Sequence, residues 1–146
     1  MDASPTLLEA MARVGLRFVA SARDIRTEPT ADARTAMSGM QGVSLLYPEL
    51  LPNGLIHFAN NFQATSTVKR ALSILRAGGL LAIKGHVVKN AAGFVMADGI
   101  DAEYSRYLDE VFARLKDEFG ENLWWTSMGQ VAARVDAWLA RRDGAA

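Results

Sequence analysis

The chain has 146 residues, 50% of them hydrophobic and 22% charged, which suits one domain with a real core. Its 16 basic and 16 acidic side chains cancel, so no global charge points to nucleic acid or an anionic membrane as partner. Cysteine is absent, which excludes disulfides, thiolate nucleophiles and zinc–thiolate sites.

No run of residues approaches the length of a membrane span. The opening Met1-Asp2-Ala3-Ser4-Pro5 carries neither a basic segment nor a long apolar one, so no secretory signal is expected and the cytoplasm is the expected compartment. A pI near neutrality gives little colloidal repulsion and leaves self-association open.

Ser4 before Pro5 reads as a helix cap and first turn. Leu7, Leu8, Met11, Ala12 and Val14 supply the apolar face, and Gly15 the stop. A short strand is expected over 16–20. The pattern then dissolves into a long irregular segment, 21–42, of a length that is usually functional or mobile. Val43 to Tyr47 is strand-like and closed by Pro48, Pro52-Asn53-Gly54 is a turn, and 55–58 is a further strand followed by Asn60-Asn61. Thr65 or Ser66 caps a helix whose face is Val68, Ala71, Leu72 and Leu75. That helix ends at Gly78, and an apolar strand over 80–84 follows directly.

Residues 87–100 read as a second loop. Asp101 caps the clearest helix, in which Tyr104, Tyr107, Leu108, Val111, Phe112, Leu115 and Phe119 recur at helical spacing. This aromatic stripe is core by its period. Gly120 ends the helix, 123–125 is a short strand, and Ser127 with Gln130 forms a capping box for a last helix. Short apolar strands alternating with amphipathic helices predict an α/β fold with a mostly parallel sheet, in a single domain over 1–146.

Side chains alternate along a strand, so Ala82, Lys84 and His86 share one face and Leu81 and Ile83 share the other. Lysine in an apolar strand is costly unless it reaches a polar cavity, and parallel folds place such cavities at strand C-terminal ends. Lys84 there would hold a neighbouring imidazole neutral. The chain has only two histidines. His86 ends the 80–84 strand, and His57 sits late in another, with Asn60 and Asn61 after it to add hydrogen bonds. Burial with ring nitrogens satisfied by backbone is the competing reading for both histidines. Trp124-Trp125 straddles a strand, so one ring faces each way. Packing accounts for the inward ring, and a ring at a strand end also stacks on a sugar face. Asp98 and Asp101 flank the loop after His86, where loop geometry and capping compete with a role in the site.

Four stretches in order resemble the C-terminal half of polysaccharide deacetylases of the NodB-homology type: Asn53 to His57, Leu80 to His86, Asp98 to Leu108, and Leu123 to Gln130. The opening Leu7-Leu8 to Phe18 resembles a helix and strand midway through the same barrel. The resemblance implies a partial or distorted (β/α) barrel that acts on or binds acetylated carbohydrate. It implies His86 as general acid to the leaving group; the strand reading adds Lys84 as its electrostatic partner. His57, Asn60, Trp125 and Asp98 are the candidate substrate-binding residues beside them. The family's motif has leucine two residues before this histidine, where this chain has Lys84. The family also needs an Asp-Asp pair and a His-x-x-x-His pair for its divalent metal, and this chain has neither. Metal binding by this chain alone is therefore not expected; zinc enters only if a partner supplies ligands. Either a second copy or a complementing chain is the expected protein partner, since a half-barrel leaves strand edges unpaired. The alternative class is a non-catalytic interaction or glycan-binding module. A weaker likeness, of 71–83 to a late strand of S-adenosylmethionine methyltransferases, lacks the glycine-rich cofactor loop.

Overall fold

The computed structural model describes residues 3–29, 36–39, 42–85, 90–91, 94–95 and 102–143. The chain is a mixed α/β structure. Helix α1 (Pro5–Arg13) is capped by the Ser4 hydroxyl, which accepts from the Leu7 N–H, and the chain turns at Gly15, with φ +84°. Strand β1 (Phe18–Arg23) runs parallel to β3 (Ile56–Asn60), with an irregular register between Val19 and Ala22. Strand β2 (Glu49–Leu50) pairs antiparallel with β3 across the Asn53-Gly54 turn, in which the Asn53 side chain accepts from the Leu55 N–H. The order in this sheet is β1-β3-β2.

A parallel crossover follows. Helix α2 (Val68–Arg76) is capped by Thr67, whose hydroxyl accepts from the Arg70 N–H. The cap lies one residue beyond the expected Ser66, because the Ser66 hydroxyl is used on the Gln63 N–H. Gly78, at φ +72°, then turns the chain back. The 80–84 segment lies parallel to the end of β3: Phe62 N–H donates to Ala82 O at 3.2 Å and Lys84 N–H to Phe62 O at 2.8 Å. Helix α3 (Ala102–Phe119) and helix α4 (Met128–Asp143) complete the chain. The expected capping box of α4 is present: Ser127 Oγ accepts from Gln130 N–H, and Gln130 Oε1 accepts from Ser127 N–H.

Three apolar clusters form the core. Ile56 and Phe58 pack against Val131 and Ala132 of α4. Phe62 and Ala71 pack against Val111 and Leu115 of α3, with Leu81 and Ile83 beside them. Leu45, Leu46 and Ala36 pack against Ile74. Gly79 is required where α2 meets this third cluster, since a Cβ there would stand 3.0 Å from Ile74 O and from Leu46 Cβ.

Several elements differ from expectation. The 43–47 segment is not a strand, because the Ser44 hydroxyl captures the N–H groups of Leu46 and Tyr47 and bends the chain. Its pairing is one antiparallel bridge, Ser44 with Met37, and a strand starts only after Pro48, in β2. The expected 123–125 strand does not form: the segment has no strand pairing among the described residues. Within 87–100, Asn90–Ala91 (β4) and Phe94–Val95 (β5) form an antiparallel pair. The sheet is small and mixed, with a parallel β1–β3 core and an antiparallel β2.

Candidate functional site

The parallel arrangement brings the C-terminal ends of β1, β3 and the 80–84 segment together, and the polar residues there are knitted by hydrogen bonds. Asp24, just past β1, is 4% exposed. Its Oδ1 accepts from the N–H groups of Arg26 and Thr27, and its Oδ2 from the Thr27 hydroxyl and the Gly39 N–H. Burial pushes the Asp24 carboxyl up, but these bonds, led by those from Thr27, more than offset it and hold the pKa at about 2. Arg70 reaches from α2 to the same corner. Its guanidinium donates to Asn61 O at 2.7 Å, Thr27 O at 2.8 Å and Asp24 O at 3.1 Å.

Asn61 is 1% exposed and its side chain is fully engaged. Nδ2 donates to Leu45 O and Leu80 O, and Oδ1 accepts from Ala82 N–H, all at 2.9 Å. It clips the 80–84 segment to β3 and has no group left for a ligand. Asn60 Nδ2 donates to Ala20 O across the β1–β3 pair. Lys84 is half-buried, and its carbonyl accepts from the Tyr104 hydroxyl. Next to this pairing lies Gln63, which no sequence signal had singled out. It is 5% exposed, and its buried Oε1 has no donor among the described residues.

His57 stands apart. It is the second residue of β3, not a strand-end residue, because β3 continues to Asn60. Its ring is buried, with Nε2 2.8 Å from Ser21 Oγ on β1 and Nδ1 without a partner among the described residues. Burial lowers its pKa and Glu49, opposite on β2, pulls the other way; the imidazole is neutral near pH 7. It is 2% exposed, between β1 and β2 in the sheet. His86 and Asp98 lie outside the described residues.

Trp125 lines a different feature. A groove of about 850 Å³ opens between the 80–83 segment, α3, the 122–126 segment and α4. Trp124 and Trp125 are each about half exposed in it. Trp125 meets Phe112 edge-on with ring centres 5.2 Å apart, and the Arg134 guanidinium lies 5.4 Å over the Trp124 ring.

Among the described residues there is no group of three or more His, Cys, Asp or Glu side chains able to hold a metal ion. The one buried carboxylate, Asp24, has both oxygens engaged by protein donors. These residues do not fit the divalent metal that the deacetylase resemblance implies, and no reaction step through a metal follows from them. Among them, too, no helix is long and apolar enough to cross a membrane.

No protein-family model matches the chain, and comparisons with curated proteins and with solved structures return no match.

Proposed function

We propose that this chain is a polysaccharide deacetylase-like portion of a (β/α) barrel that binds acetylated carbohydrate at the C-terminal ends of its parallel strands. The observation that carries this reading is the β3–α2–80–84 crossover. It puts Lys84 beside Gln63 at the strand ends, two residues before His86, which is where α/β folds of this kind gather their chemistry. In this reading His86 donates a proton to the nitrogen or oxygen that leaves as the acetyl bond breaks, and Lys84 keeps the substrate end of the strand electropositive. Turnover requires a divalent metal held by residues other than those described, on a complementing chain. The buried Gln63 Oε1, an acceptor without a donor among the described residues, suits a sugar hydroxyl or an acetamido N–H.

A second reading, a glycan-binding module without catalysis, is favoured by the half-exposed Trp124 and Trp125 rings, whose faces suit a pyranose. Calorimetry with tetra-N-acetylchitotetraose tests the binding that both readings share. Saturable binding is expected, weakened about tenfold, or roughly 1.4 kcal/mol, by Gln63→Ala. Absence of any heat of binding overturns both. Binding lost in Trp125→Ala and untouched in Gln63→Ala and His86→Ala would favour the module over the deacetylase.

A further inference from the structure

The 80–84 segment uses only one of its two edges. Leu80, Ala82 and Lys84 direct their backbone groups at β3 and its surroundings: Leu80 N–H donates to Leu46 O, Leu80 O and Ala82 N–H are held by the Asn61 side chain, and Ala82 O and Lys84 N–H pair with Phe62. Backbone groups alternate in direction along an extended chain, so those of Leu81 and Ile83 point the other way. Among the described residues neither has a hydrogen-bond partner for its N–H or its C=O. Both residues are half-buried and both line the 850 Å³ groove. The opposite wall of the groove includes the irregular backbone of Trp124 and Trp125. Past Leu123, whose N–H goes to Gly120 O, the main-chain groups of Trp124 and Trp125 make no hydrogen bond among the described residues. Two unpaired edges thus face one apolar slot. Unpaired backbone beside apolar surface is costly, and a further strand is the ligand that satisfies it along its length.

The charge of the slot narrows the occupant. Among the described residues, and apart from the Tyr47 hydroxyl, the ionisable side chains lining it are Arg134 and Arg141, about two turns apart on α4. No lysine, histidine, aspartate or glutamate lines it, and neither arginine has a carboxylate partner among the described residues.

We propose that this groove receives an extended acidic peptide strand of a partner protein. The strand pairs with the backbone of Leu81 and Ile83, sets alternate apolar side chains against Phe112 and Val131, and turns carboxylates to Arg134 and Arg141. This goes beyond the deacetylase reading, which rests on the strand C-terminal ends, and sets a peptide in the groove where the glycan-module reading sets a sugar.

The test uses a fluorescein-labelled peptide alternating valine and glutamate, with binding to the full chain read by fluorescence anisotropy. Saturable binding is expected, with a blue shift of tryptophan emission. It should weaken at least tenfold when alternate peptide amides are N-methylated, when lysine replaces glutamate, and in the Arg134→Glu/Arg141→Glu variant, whose fold is checked by circular dichroism. No binding, or equal binding by the N-methylated or lysine peptide, overturns the proposal. So does a self-associated form in sedimentation that excludes the peptide, which would make a second copy the occupant. Competition by tetra-N-acetylchitotetraose would assign the groove to glycan and overturn it too. Peptide binding with no glycan binding supports it while overturning only the carbohydrate reading.

Discussion

Asp24 and Arg70 are the residues on which the strand ends depend. Both are nearly fully buried; the Asp24 carboxylate accepts from the neighbouring Arg26 and Thr27 and from Gly39, and the Arg70 guanidinium donates to three backbone carbonyls, so neither is replaceable by a residue of similar size alone. Asp24 has a clear pH signature. Its pKa falls from the ordinary 3.8 to about 2 in the folded chain, so its ionised form stabilises the fold. That contribution, roughly 2 kcal/mol, is complete above pH 3.8 and is lost as the pH drops towards 2. Urea unfolding between pH 2 and 5 should show this loss in the native chain. In Asp24→Asn the slope across this interval should flatten and stability at pH 7 should be lower. An unchanged slope would mean that other carboxylates carry the acid sensitivity.

At the scale of elements, the junction of α2 with the 80–84 segment decides where Lys84 goes. Gly79→Ala pushes a methyl into Ile74 O and Leu46 at 3.0 Å, and backbone on one side must move, at a cost of about 1–3 kcal/mol. Gly129, in the first turn of α4, meets only Ser127 Oγ at 3.9 Å. Gly129→Ala should therefore raise stability by about 0.5 kcal/mol through its better helix propensity. Thermal unfolding of the two variants should move in opposite directions. The helices were legible in the sequence because each carries its own punctuation: Ser4-Pro5, Gly15, Gly78, Gly120 and the Ser127/Gln130 box all act within a few residues. Strands lack such local marks. Residues 43–47 are apolar enough for a strand, but a single serine hydroxyl bends them, and 123–125 has a strand's composition but no pairing strand among the described residues.

Across the whole molecule, burial is uneven. Phe62 is fully buried between α2 and α3, and Phe62→Ala should cost about 3–5 kcal/mol. Helix α1 buries none of its residues although Leu7, Leu8, Met11 and Val14 make one face apolar. Leu7→Lys should change stability by no more than about 0.5 kcal/mol. Denaturant titration of the two variants checks this contrast. A large loss in Leu7→Lys would show that α1 is covered in solution. β1, beside α1, keeps one edge unpaired in the sheet, so both the first helix and the first strand present surface that a larger assembly would cover.

The positions of the helices, the caps of α1 and α4, and the α/β alternation are legible in the sequence, because those follow from contacts between residues near in the chain. It also marked Lys84 as a residue needing a polar neighbourhood. Tertiary structure decided the rest. Only the β1–β3 pairing shows that Ser21 occupies His57, only the crossover shows that Asn61 is spent as a clip and that Gln63 is left with an idle acceptor, and only the packing of α3 and α4 opens the groove beside Leu81 and Ile83. Those facts depend on partners 16 or more positions away, and a residue's type carries no record of which distant group will satisfy it.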